Sequence, residues 1–147
     1  MEWNIDKPYI DLHIDWTDLK KVHAGFIQVM LIHDTFSGRT FLYFMTTHGK
    51  EKETLQILKD FILWICFRYN LKVNIIRSDN KLKRKKTLKW LQTQGITFKP
   101  LAPHTQAQNG TAKCSESVII EKAHAIKIAA NLPYNLWNEI VNCVVYL

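Results

Sequence analysis

The sequence predicts an α/β fold in a single domain, and three observations carry that prediction. Stretches with strand periodicity alternate along the chain with stretches of helical periodicity. At 147 residues the chain is long enough to bury one core. With 47% hydrophobic residues, five Gly and four Pro, it has too much apolar surface and too few breakers for a disordered chain.

The elements follow in order. From Tyr9 to Trp16, Ile10, Leu12, Ile14 and Trp16 alternate with Asp11, His13 and Asp15, the pattern of a strand with one apolar face. Phe26 to Ile32 is a nearly unbroken apolar run ending at His33-Asp34, as in a buried strand. Thr35-Phe36-Ser37-Gly38 reads as a turn and Arg39 to Met45 as the hairpin partner. Between Lys50 and Tyr69, Leu55, Leu58, Ile62, Ile65 and Tyr69 recur at helical spacing. Leu71 to Arg77 reads as a second core strand, ending at Ser78-Asp79-Asn80. Thr87 to Gln94 is a short helix closed by Gly95, and Ile96 to Lys99 a short strand. Pro100 to Gly110 reads as a polar loop. Thr111 to Ala130 is a helix with Ile119, Ala123, Ile126 and Ala130 on one side. Pro133 then starts a last helix at its first position.

The bulk chemistry narrows the partners. A net charge of +7 and a pI near 9.4 favour a polyanion. Cys66, Cys114 and Cys143 are odd in number and far apart, so neither a disulfide framework nor a zinc knuckle is expected. The apolar runs are short and interrupted, so no membrane span is expected. Asp15 and Asp79 close two separated strand readings, and active sites of α/β sheets gather at strand ends. Oxygen ligands delivered there would suit Mg²⁺ or Mn²⁺ and phosphate chemistry.

Several motifs, in order, resemble the catalytic core of copia-type retrotransposon integrases, most closely the fungal branch. His13-Ile14-Asp15 resembles the first catalytic strand. Ile32-His33-Asp34-Thr35-Phe36-Ser37-Gly38-Arg39 resembles the I-D-D-x-S-R segment, and Ile75-Ile76-Arg77-Ser78-Asp79-Asn80 the I-x-R-x-D-N motif. Ala102-Pro103 followed by Gln108-Asn109-Gly110 resembles the approach to a third acid. Ala130-Asn131-Leu132-Pro133-Tyr134-Asn135-Leu136-Trp137-Asn138-Glu139 and Val144-Val145-Tyr146-Leu147 resemble the helices beyond it. The resemblance spans nearly the whole chain. It implies an RNase H-like fold with a five-stranded mixed sheet, and two metal ions held between Asp15, Asp79 and a glutamate. It also implies metal-dependent strand transfer on DNA and a nuclear or particle-bound setting.

The third acid is where this chain departs from the family. Counting from Asn109-Gly110 puts the glutamate at position 113, which is Lys113. Asp79 and Lys113 are separated by 33 residues, Asp79 and Glu116 by 36, and the family's usual spacing lies between, nearer the second. The local motif assigns the place to Lys113, because the segment from Lys81 to Gln94 is slightly shorter than the family's. An ammonium there repels a metal ion, so strand transfer is expected to be defective. Glu116, about one helical turn further on, is the fallback acid. Further departures cluster nearby. Lys81 to Lys86 stand where the family has glycines and a glutamate, His104 and Gln106 replace a tyrosine and a proline, and Cys114 and Ser115 replace basic residues.

The basic residues suggest phosphate contacts without sequence readout. Lys81, Lys83, Arg84, Lys85, Lys86 and Lys89 form the densest run. Lys113, Ser117, His124 and Lys127 share a helix face, the helix the family lays along DNA, with Asn109 near its start. The family's zinc-binding module and basic C-terminal domain are not within these 147 residues, so a fragment is expected. The apolar end from Cys143 to Leu147 suggests a homodimer that covers it. Two other readings stay open. One is a non-catalytic nucleic-acid-binding or assembly module. The other is a nuclease in which Glu116 or Asp34 joins Asp15 and Asp79.

Overall fold

The computed structural model describes residues 7–23, 25–101 and 106–146; side chains are described over 7–18, 25–101 and 118–145. Five strands form one sheet: β1 (Asp11–His23), β2 (Phe26–Asp34), β3 (Thr40–Met45), β4 (Ile75–Ser78) and β5 (Thr97–Pro100). The order across the sheet is β3-β2-β1-β4-β5, with β1 antiparallel to β2, β2 antiparallel to β3, and β4 and β5 parallel to β1. Four helices flank it: α1 (Glu51–Tyr69), α2 (Lys85–Thr93), α3 (Gln106–Ala129) and α4 (Trp137–Tyr146). The fold class and the element order agree with the sequence reading.

The strand period of two sends alternate side chains to opposite faces, and each face has its own core. Leu12, Ile14, Trp16, Met30, Ile32 and Met45 face Leu58, Phe61 and Ile65 of α1 and Leu91 of α2. On the other face Leu42 and Phe44 meet Ile119, Ile120 and Ala123 of α3 and Trp137, Ile140, Val141 and Val144 of α4. Burying a large apolar side chain contributes about 1.5–3 kcal/mol, so both faces contribute to the driving force.

Several boundaries differ from the sequence reading, each for a physical reason. β1 runs on past Trp16, because Thr17 and Asp18 still pair with Val29 and Gln28 of β2. β4 starts later, at Ile75, since the chain before it is bound by single contacts such as Asn74 N–H to the Ile10 carbonyl (3.0 Å). α3 starts at Gln106, so half of the expected loop is helical; Gln106, Ala107 and Gln108 are good helix formers. Pro133 leads into a 3₁₀ turn, Tyr134–Leu136, rather than the first turn of α4. Of the apolar end from Cys143 to Leu147, Val144 is buried, Val145 half-buried and Cys143 exposed, while the side chains of Tyr146 and Leu147 fall outside the described residues. Three exposed apolar side chains cluster on α1, Leu63, Trp64 and Phe67, the last 85% exposed; Ile128 of α3 is also exposed. No helix among the described residues is long and apolar enough to cross a membrane.

Candidate active site

Asp15 and Asp79 come together through strand register. β1 and β4 pair in parallel as Asp11↔Ile75, Leu12↔Ile76 and His13↔Arg77. Continued two residues past its last pair, this register sets Asp15 of β1 opposite Asp79, the first residue after β4. Both belong to the strand face that looks toward α3 and α4. Asp15 is not at a strand end, as the sequence suggested, because β1 continues along β2 while β4 stops. The pair therefore sits where β4 ends against a continuing neighbour. Backbone contacts orient both carboxylates. Trp16 N–H donates to Asp15 Oδ1 (2.9 Å), and Lys81 N–H donates to Asp79 Oδ1 (2.9 Å), where Asp79 caps a short 3₁₀ turn, Asn80–Leu82. Both are half-buried.

One register step below the pair, a polar row crosses all five strands: Thr40, His33, His13, Arg77 and Lys99. Arg77 grips the buried Asp11 with Nε on both carboxylate oxygens (3.0 Å each) and Nη2 at 2.9 Å from Oδ2. His33 Nδ1 and Thr40 Oγ1 are 2.8 Å apart. Burial lowers the pKa of His13 below the ordinary imidazole value; Asp11 opposes the shift while Arg77 and His33 reinforce it. Burial likewise lowers His33, against the pull of Asp34. Both rings are therefore neutral at neutral pH. Arg77 and Asp11 carried no catalytic signal in the sequence; what ties them together is a contact 66 residues apart along the chain.

Asp34 does not join this site. It lies at the opposite end of the sheet with its carboxylate spent on a turn, accepting from Tyr9 N–H (3.0 Å), Phe36 N–H (3.4 Å) and Ser37 N–H (3.0 Å). Being fully buried and so engaged, it is removed as a relocated ligand. Positions 109, 113 and 116 all lie within α3, but the side chains of Asn109, Lys113 and Glu116 fall outside the described residues.

The expected nucleic-acid contacts separate into two groups. Lys81, Lys83, Lys85 and Lys86 are exposed along the turn after Asp79 and the start of α2, with Arg84 half-buried at the helix boundary. Lys81 lies close enough to Asp18 to help hold that carboxyl below its usual value, behind the larger effects of hydrogen bonds from Gln28 (2.8 Å) and His48 (3.2 Å). His124 and Lys127 are at the far end of α3, about 16 Å of helical rise or more beyond position 113. There His124 packs on Trp137 at 4.7 Å between ring centroids, and Lys127 Nζ sits 3.8 Å from the Tyr134 ring centroid. Both brace the seam between α3 and α4.

Carboxylates are hard oxygen donors of the kind that suits Mg²⁺ or Mn²⁺. Among the described residues no group of three His, Cys, Asp or Glu converges on one point. A third ligand would have to come from elsewhere.

Solved structures match this fold over almost the whole chain. The HTLV-2 integrase catalytic core domain in complex with magnesium, in its trimeric form, superposes with a TM-score of 0.67 at 17% identity, covering 95% of this chain and 84% of that one. The chain has the fold of a retroviral integrase catalytic core. The dimeric form of that core gives 0.69 at 17% identity, over 97% of this chain and 88% of that one. The catalytic core domain of BIV integrase gives 0.69 at 12%, over 93% and 81%. A simian T-cell lymphotropic virus intasome, solved in complex with PP2A regulatory subunit B56 gamma, gives 0.74 at 15% identity; the chain covers 48% of that protein's chain. No family model matches the chain, and no curated protein does.

Proposed function

We propose that the chain is an integrase-type core of copia-type retrotransposon descent, which handles DNA at Asp15 and Asp79 with a divalent metal. The observation that supports this is the parallel pairing of β1 with β4, whose register, continued two residues, runs toward Asp15 and Asp79, each within a motif that resembles the family's. A bound Mg²⁺ or Mn²⁺ would supply Lewis-acid activation of phosphodiester oxygens. The chain's own residues fix the two carboxylates through backbone donors and keep Arg77 occupied with Asp11, away from the metal's ligands. Lys113 at the place of the third acid makes the site a poor catalyst.

The test is cleavage and joining of a labelled oligonucleotide duplex in Mn²⁺. Weak activity is expected from the wild type, raised by Lys113→Glu but short of strong strand transfer, because the segment from Lys81 to Lys86 has also changed. Asp15→Asn or Asp79→Asn should abolish activity in either background. Loss of the residual activity in Glu116→Gln would assign the third ligand to Glu116. Activity that survives Asp79→Asn would overturn the assignment.

Self-association is part of the proposal. The HTLV-2 cores are described as dimeric and trimeric. Here Leu63, Trp64 and Phe67 on α1 offer an exposed apolar face beside the edge strand β3.

A further inference from the structure

The chain's positive charge is not spread over its surface. Residues 71–100 hold nine of the 20 Lys and Arg and one acid, Asp79. The other 117 residues hold eleven bases against twelve acids, and so are close to neutral. The whole net charge thus resides in the segment from β4 to β5.

Within that segment two bases are used up or withdrawn: Arg77 is paired with buried Asp11, and Arg84 is half-buried. Lys72, Lys81, Lys83, Lys85, Lys86 and Lys89 are exposed. The one acid, Asp79, spends an oxygen on Lys81 N–H. From α1, exposed Lys52 adds charge, and Lys59 lies 5.8 Å from the centroid of the Trp90 ring of α2.

Placement adds a second argument. α2 has no acid in its first turn and no side-chain cap at Arg84, while Lys85 and Lys86 occupy that turn. Cations at the positive end of a helix dipole, and like charges spaced as Lys85 and Lys89 are, each disfavour the helix. The fold repairs this from outside, with Glu51 of α1 accepting from Thr87 N–H at 3.0 Å. Among the described residues, Lys85, Lys86 and Lys89 of α2 enter no ion pair. None of the large exposed hydrophobic side chains falls in residues 71–100, so the patch lacks the apolar component of a membrane-inserting surface.

We propose that the exposed lysines of the turn after Asp79 and of α2, with Lys52 of α1, form a metal-independent docking face for a nucleic-acid phosphate backbone. The face begins two residues past Asp79 and leads away over α2, which packs on the opposite side of the sheet from the carboxylate pair. It rests on the reading of the chain as a nucleic-acid-handling domain, but not on the carboxylates or on a metal. It reads no sequence, because compact ammonium groups contact phosphates rather than base edges.

The experiment is fluorescence anisotropy of a labelled DNA duplex with the 147-residue chain, in EDTA, across about 50–200 mM NaCl. The wild type should bind with a steep salt dependence. Lys85→Glu, Lys86→Glu and Lys89→Glu combined should weaken binding at least tenfold and flatten the log–log salt slope by about three. Glutamates suit the start of α2, so folding should hold, which circular dichroism checks. A control carrying Lys7→Glu, Lys50→Glu and Lys122→Glu makes the same change in net charge elsewhere and should weaken binding far less. Equal losses in the two triple variants, or binding that needs Mn²⁺, would overturn the proposal. So would tighter binding to anionic vesicles of phosphatidylserine than to DNA. If the wild type shows no Mn²⁺-dependent cleavage or joining while salt-sensitive binding in EDTA persists, the active-site reading fails and the docking face stands.

Discussion

The two faces of the sheet do different jobs. The face toward α1 and α2 is a continuous apolar layer in which Leu12, Met30, Ile32, Leu58, Ile65 and Ile76 are fully buried. The face toward α3 and α4 has a smaller apolar patch on β2 and β3. On β1 and β4 it carries Asp11, His13, Asp15, Arg77 and Asp79. The lesson is a division of labour. Because an apolar layer lines the whole of the first face among the described residues, the other can devote strand positions, the most rigid ones available, to charged groups.

The largest effect that could break this comparison is a matched pair of core truncations. Phe61→Ala, on the α1 face, should cost about 3–5 kcal/mol in urea unfolding, and Ile140→Ala, on the α4 face, about 2–3 kcal/mol. Equal costs would mean that the two faces share the load. Next comes the buried pair. Arg77→Met leaves Asp11 buried without its partner and should cost about 3 kcal/mol, most of it recovered when Asp11→Asn is added. If the double variant is no better than the single one, the pair is not the unit that matters.

A smaller effect is pH dependence. His13 and His33 have folded-state values below the ordinary 6.5 because of burial. The unfolded chain therefore binds more protons between the folded and unfolded values. Their contribution is complete above about pH 6.5 and is lost as pH falls below it. Thermal melts should show that decline, and His33→Gln should flatten it. The smallest effect is at the exposed α1 face. Phe67→Ser should change stability by less than about 0.5 kcal/mol, yet shift any self-association toward monomer in analytical ultracentrifugation.

How much of this was legible in the sequence follows from the range of the forces involved. The alternation of Ile10, Leu12, Ile14 and Trp16 gave β1, and the helical spacing of Leu55, Leu58, Ile62 and Ile65 gave α1, since both signals are local. The two aspartates were legible as motif members, but their adjacency depends on parallel pairing between segments about sixty residues apart. The Asp11–Arg77 bridge, the turn-capping role of Asp34 and the packing of His124 on Trp137 were not legible, because each depends on which face a residue lands on after long-range pairing. The start of α3 was misjudged because Asn109 and Gly110 look like loop residues. The helical preference of Gln106 to Gln108 and continuation into a long helix override them.

The central claim is that Asp15 and Asp79 act as one site. Isothermal titration of Mn²⁺ into the wild type, Asp15→Asn and Asp79→Asn tests it most directly. The account predicts measurable binding in the wild type and its loss in both variants alike. Equal binding in all three proteins, or loss in only one variant, would contradict it.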